Sequence, residues 1–202
     1  MAQTTSAKEA PIDTIEPDIH SERALGFWLY PMSDAVIFAL LFATYIVMTP
    51  GTAGGPSGAG VFDIRTTFTE TIVLLASTFT FGLASLAVAR GASRDAIGWL
   101  AVTFLLGAVF VIMEIAEFNR MLAAGAGPDR SGFLSAFFIL VGTHGVHVTA
   151  GLYWIGVSIV QIASKGLGDA TISRITRLGW FWHFLDLVWI GIYSIVYLPG
   201  VM

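Results

Sequence analysis

The sequence predicts an all-α fold, a polytopic membrane helical bundle with five transmembrane helices, and three observations carry that prediction. Apolar residues make up 55% of the 202-residue chain and charged residues only 12%, about half the charged share of a typical soluble domain. Five apolar runs each reach the roughly 20 residues that cross the hydrocarbon as a helix. Short polar or Gly/Pro-rich stretches separate those runs. Backbone groups find no water inside lipid, so helix is the only sound reading of runs this long.

Taken in order, residues 1–24 carry Lys8, Glu9, Asp13, Glu16, Asp18, Glu22 and Arg23 with no apolar run. They read as a polar cytoplasmic tail and not as a cleaved signal peptide. Residues 25–202 read as one five-helix domain, with helices at about 25–49, 66–89, 96–119, 133–163 and 176–198. The fourth run is longer than a bilayer needs, so it is expected to tilt or project past the surface. The stretch PGTAGGPSGAG at 50–60 is a Gly/Pro turn region expected to hold no helix. Residues 90–95, 120–132 and 165–173 supply the other connections.

Lys and Arg set the orientation. Lys8, Arg23, Arg90, Arg94, Lys165, Arg174 and Arg177 fall on the side of the amino terminus, against Arg65, Arg120 and Arg130 opposite. That asymmetry places the amino terminus in the cytoplasm and the carboxyl terminus outside. Trp28, Tyr30, Trp99, Trp180 and Trp182 are then expected at the inner interface and Tyr197 at the outer one. In the second run Ala76, Thr80 and Ala84 recur every four residues, an interval that lets helices approach closely.

The ionisable groups inside the runs are the candidate functional residues, because such groups are expensive in a membrane. Asp34 lies roughly 13 Å into the first helix at about 1.5 Å per residue. It reads either as a neutral acid donating one interhelical hydrogen bond or as a proton-handling group. His144 and His147 stand three apart on the fourth helix. That spacing suits metal ligation, but no HExxH or ExxH pattern supports it, and interhelical hydrogen bonding is the plainer reading. His183 and Asp186, also three apart, either pair with each other or face the first helix. Glu70, Glu114 and Glu117 share one layer near the outer side, with Glu117 and Arg120 spaced for a local ion pair. A carboxylate cluster can store or relay protons, yet helix ends touching water carry such groups without any role.

With no cysteine, the chain has no disulfide, thiolate metal site or cysteine nucleophile. A net charge of −4 without a basic cluster gives no footprint for nucleic acid. No nucleophile–base pair and no full ligand set emerges, so the residues alone describe a polytopic bundle with internal polar contacts and name no activity.

Five motifs go further: MSDAVIFALLFATY at 32–45, ETIVLLAS at 70–77, MEIAEFNRML at 113–122, FLSAFFILVGTHGVHVTAGLYW at 133–154 and FWHFLDLVWIGIYSIVYLPG at 181–200. At these residues the chain resembles subunit III of the haem–copper respiratory oxidases, over nearly its whole length from about Gly26. The five-helix length and the PGVM ending look most like the cytochrome o (bo-type) ubiquinol oxidase branch; larger members carry two further amino-terminal helices. The resemblance implies a non-catalytic subunit of a proton-pumping terminal ubiquinol oxidase of the aerobic respiratory chain. It would sit in the bacterial inner membrane and pack directly on subunit I, with subunits II and IV in the complex. Haems and copper are expected in subunit I, with no catalytic residue, metal or cofactor on this chain and no activity from it alone. Its implied roles are assembly, stability and sustained proton uptake. The family's buried carboxylate, often a glutamate that reacts with carbodiimides, falls on Asp34, where this chain has the shorter aspartate. Membrane lipid is a further implied partner, bound phospholipid being a family trait. The alternatives are subunit III of a cytochrome c oxidase, a free-standing proton or ion transporter built on Asp34, His183, Asp186 and the outer glutamates, and a metalloenzyme at His144, His147 and His183.

Overall fold

The computed structural model describes residues 19–200 and the side chains of residues 31–200. The tail 1–18, and the side chains of Trp28 and Tyr30, lie outside what it describes. Long helices occupy α1 (Ile19–Met48), α3 (Ile64–Ala89), α4 (Ser93–Ala123), α5 (Gly132–Lys165) and α6 (Asp169–Ile192). All five are long and apolar enough to cross a membrane, and no strand occurs among the described residues.

The predicted spans are present, but most are longer than expected, and α1 begins at Ile19, inside the stretch read as a polar tail. α4 continues through Ala123 and α6 begins at Asp169, so parts of the expected connections 120–132 and 165–173 are helical. Apolar patterning registers only the lipid-immersed part of a helix; a helix continues into the headgroup region, where Arg120 or Asp169 meets water. The Gly/Pro region at 50–60 also yields a correction. A single helical turn, α2 (Gly58–Val61), forms beyond its last proline. There Gly58 lies against Gly200, and a Cβ on Gly58 would stand 2.7 Å from the Gly200 carbonyl oxygen.

Local chemistry stops and starts the helices. α3 ends in a Schellman motif: Gly91, at φ +71°, donates to Val88 O and Ala92 to Ala87 O. The same pattern closes α4 through Gly125 at φ +73° and Ala126. Asp63 caps α3 by accepting from Arg65 N, and Ser131 caps α5 by accepting from Leu134 N.

α3, α4, α5 and α6 form a closed ring, each touching the next and α6 returning to α3. α1 lies outside this ring, mainly against α5 and marginally against α6. The α3–α4 pairing is the most extensive, and small residues explain it as expected. Thr80 and Ala84 are buried, and Thr80 Oγ1 meets Thr103 Oγ1 at 2.8 Å across the interface. In the ring centre the Trp182 indole lies between Gly107 of α4 and Gly151 of α5. A Cβ on either glycine would stand 2.9 Å from the ring. Trp182 Nε1 donates to Ser77 Oγ of α3 at 3.2 Å, so one side chain of α6 touches the other three helices. Trp182 is 2% exposed and is thus no interface residue, unlike the exposed Trp99 and Trp180.

The last span is not a uniform helix. A π-helical turn at Tyr193–Tyr197 follows α6 and leads into α7 (Leu198–Gly200). Eight residues of regular α-helix would rotate Tyr197 about 80° from Trp189, whereas one extra residue in a π turn brings the two within about 20°. Trp189 and Tyr197 accordingly share the inward face, with ring centroids 6.2 Å apart. Tyr197 is fully buried, so it turns into the bundle and not toward lipid.

Candidate functional site

The embedded polar groups resolve into two separate arrangements, one between α1 and the ring and one inside the ring near an end.

The first joins Asp34 to His147. Asp34 lies on the face of α1 that also carries the buried Phe38 and Tyr45, opposite an exposed stripe of Met32, Val36, Leu40 and Val47. His147 Nε2 stands 3.7 Å from Asp34 Oδ2. The other ring nitrogen, Nδ1, is 2.7 Å from Thr143 O. A carbonyl only accepts, so Nδ1 carries hydrogen. Nε2 therefore faces Asp34 either with its lone pair toward a protonated acid or with a proton toward a carboxylate. The Phe38 ring, with its centroid 5.3 Å from that of His147, covers the pair on one side. Sequence spacing left His183 and Asp186 either paired with each other or facing α1; the structure brings His147 to Asp34.

His144 does not share a ligand set with His147. It is fully buried in the ring, with Nε2 3.3 Å from Leu185 O of α6. Phe110 stands edge-on to it at 5.7 Å. That carbonyl contact places a hydrogen on Nε2, the interhelical hydrogen bond expected of a neutral imidazole. His183 and Asp186 form no ion pair among the described residues. His183 is exposed, edge-on to Phe81 at 6.1 Å. Asp186 is buried at 7% exposure and faces Thr78 of α3, without good hydrogen-bond geometry at Oδ1. Among the described residues no three His, Asp or Glu side chains converge as a metal-holding group.

The second arrangement gathers Glu70 of α3 with Glu114 and Glu117 of α4, all within electrostatic reach of one another and of Tyr197. The three glutamates are at most 3% exposed. Tyr197 Oη donates to Glu117 Oε2 at 3.2 Å. Arg120 approaches Glu117 Oε1 at 3.7 Å, the expected local ion pair, and reaches outward to Asp63 Oδ2 at 3.5 Å. Asp63 is at the loop end of α3, where the hydrogen bond from the Thr66 hydroxyl holds its carboxyl below the usual range, helped by backbone donors and Arg120. Glu114 occupies space left by Gly145 of α5; a Cβ there would lie 2.9 Å from both carboxylate oxygens. Spacing along the chain pointed to the three glutamates and Arg120. It did not give Tyr197 or Asp63, whose signals were a tyrosine one turn before PG and an Asp-x-x-Thr start at 63–66.

A cavity of about 310 Å³ opens at this same end, lined by Tyr45, Thr49, Thr52, Ser57, Phe133 and Val196 among others.

Comparison with known proteins gives this geometry its context. The family described as cytochrome c oxidase subunit III matches residues 15–201. The chain is 53% identical over 178 residues to the cytochrome bo(3) ubiquinol oxidase subunit 3 of Pseudomonas putida, covering 88% of this chain and 86% of that protein. To the protein of the same name from Pseudomonas aeruginosa it is 51% identical, covering 92% and 88%. To the quinol oxidase subunit 3 of Bacillus subtilis it is 43% identical, covering 87% and 86%. With five apolar helices and this match over nearly the whole chain, it is a multi-pass membrane protein that belongs to the subunit III family of the haem–copper oxidases.

Proposed function

We propose that this chain is the non-catalytic subunit III of a proton-pumping ubiquinol oxidase, packing on subunit I to support assembly, stability and sustained proton uptake. The observation that carries the reading is the likeness over most of the chain to relatives named as quinol oxidase subunit 3. The distribution of polar groups supports it. Among the described residues His144 contacts a carbonyl of α6, His147 stands against Asp34 of α1, and Glu70, Glu114 and Glu117 cluster. In this reading residues 1–24 form a tail on the cytoplasmic side, the carboxyl terminus is periplasmic, and residues 25–202 form one domain in the bacterial inner membrane. Haems and copper belong to subunit I, with subunits II and IV completing the complex. Asp34 with His147 is the proton-related pair, and His144, His183 and Asp186 are structural polar groups.

Affinity purification through a tag on this chain tests the proposal. The expected preparation contains a haem-bearing partner with an oxidase spectrum and consumes oxygen with quinol. Recovery of the chain as a stable particle free of haem protein would overturn it. The family's own description favours one second reading, a subunit of a cytochrome c oxidase. The same preparation decides between the two by the donor that it oxidises.

A further inference from the structure

Glu114 and Glu117 stand one turn apart on α4, and an acidic pair alone assigns nothing. The independent observation comes from α3. Glu70 is fully buried, lies within electrostatic reach of both members of that pair, and leaves both its carboxylate oxygens without a hydrogen-bond partner. Glu114 Oε1 and Glu117 Oε1 are likewise without one.

The charges facing this cluster can be counted element by element. α3 contributes Glu70, with Asp63 at its cap; α4 contributes Glu114, Glu117 and Arg120; the π turn contributes Tyr197. α5 meets the cluster at Gly145, while its His144 turns to Leu185 O on α6. Among the described residues Arg120 is the one cation facing the cluster, and it also serves Asp63. Asp63 is half exposed and solvated, so the buried carboxylate in direct ion-pair range of Arg120 is the adjacent Glu117. Arg120 reaches Glu70 only at longer range, against the like charges of Glu117 and Asp63, and Glu114 faces only Glu70 and Glu117. A buried carboxylate without an ion-pair partner takes a proton rather than remain ionised inside a protein in lipid. The oxygens do not converge on a metal-sized site.

We propose that Glu70, Glu114 and Glu117 form a proton-binding site within the membrane domain, holding two protons on Glu70 and Glu114 and exchanging with water at the loop end, where Glu117 meets the half-exposed Arg120 and Asp63. Like-charged neighbours of this kind titrate as one coupled unit. The site deepens the reading of the embedded acids, and it rests on the proposed subunit assignment only for the preparation in which it is measured.

Infrared spectroscopy of the purified complex, in the carboxylic C=O stretching region at neutral pH, tests the site. Glu70→Gln and Glu114→Gln should each remove one protonated-carboxyl component. Glu117→Gln should remove none, and Arg120→Gln should add one as Glu117 takes up a proton. The components should also shift on transfer to D2O. Unchanged carboxyl bands in both Glu70→Gln and Glu114→Gln overturn the proposal, as does a stoichiometric metal cation that is retained by the complex and lost in those variants. Failure of both variants to assemble overturns it too, because a neutral amide should be accepted where a neutral acid sits. The haem spectrum of the same sample reports separately on the subunit assignment.

Discussion

Breaking the Asp34–His147 contact tests how α1 is held. The separation of 3.7 Å is within ion-pair range but beyond a direct hydrogen bond, which places the contact at the weak end of its class. Polar contacts between membrane helices average about 0.6 kcal/mol and reach about 1.7. The expected coupling in an Asp34→Ala/His147→Ala cycle is therefore about 0.6 kcal/mol, or roughly a threefold shift in an unfolding equilibrium. Asp34→Asn sharpens the test. With Nδ1 committed to Thr143 O, a neutral His147 presents a lone pair to which the Asn amide can donate. Asn should thus keep most of the stability while losing the proton. Denaturant unfolding of the detergent-solubilised complex measures the coupling, and oxygen consumption over many turnovers measures function. Asp34→Ala should reduce both, and Asp34→Asn should spare stability while shortening sustained turnover. A coupling of zero, or full long-term turnover in Asp34→Asn, would refute the assignment.

Further substitutions probe the ring and its edge. Gly151→Val puts methyl groups into the Trp182 ring, already 2.9 Å from a bare Cβ. It should destabilise by about 1–3 kcal/mol through overpacking, read as a lower thermal midpoint of the complex. Trp182→Phe and Ser77→Ala each remove the 3.2 Å indole bond, so their losses should be non-additive, the double variant losing less than the sum in the same assay. Asp63, with its carboxyl lowered chiefly by the Thr66 hydroxyl, gives a pH signature. A depressed folded value means that its stabilisation is present above the unfolded carboxylate value and lost as pH falls through the folded value. Asp63→Asn should accordingly be less stable than the parent at neutral pH and converge with it in acid; a gap that is constant to low pH contradicts the capping role.

The spans were legible because lipid leaves a long apolar segment one solution, and the α3–α4 seam was legible because small residues at Thr80 and Ala84 admit close approach. What was not legible was rotation. Trp182 and Tyr197 lie toward the ends of the span as read from the sequence, 176–198, where aromatic residues ordinarily mark the membrane interface, yet both turn inward. For Tyr197 the reason is one inserted residue in a π turn, which no periodicity count reveals in advance. Asp34 was recognised as a candidate, but its partner was not, because His147 and His183 lie at comparable depth and only the packing of α1 against α5 chooses between them. The three glutamates expected in one layer do lie close together. Their burial followed from the closed α3–α4–α5–α6 ring, a tertiary fact that spacing along one helix does not contain.

That ring also separates two kinds of helix. The ring helices hold one another through buried indoles, hydroxyls and small-residue seams. α1 has one packed face, and one polar contact from it to the ring is Asp34 with His147. On its other side it presents Met32, Val36, Leu40 and Val47 outward, and α5 presents Ile139, Val146, Tyr153 and Val160, each seven residues after the last. Apolar faces gain from pairing inside lipid only what close packing supplies, since the lipid is equally apolar. A polar pair between helices adds little more, because each half finds another partner when the helices separate in the membrane. α1 is therefore the weakly held helix of the bundle, fixed by the packing of Phe38 and Tyr45 with a modest polar contribution from Asp34 and His147.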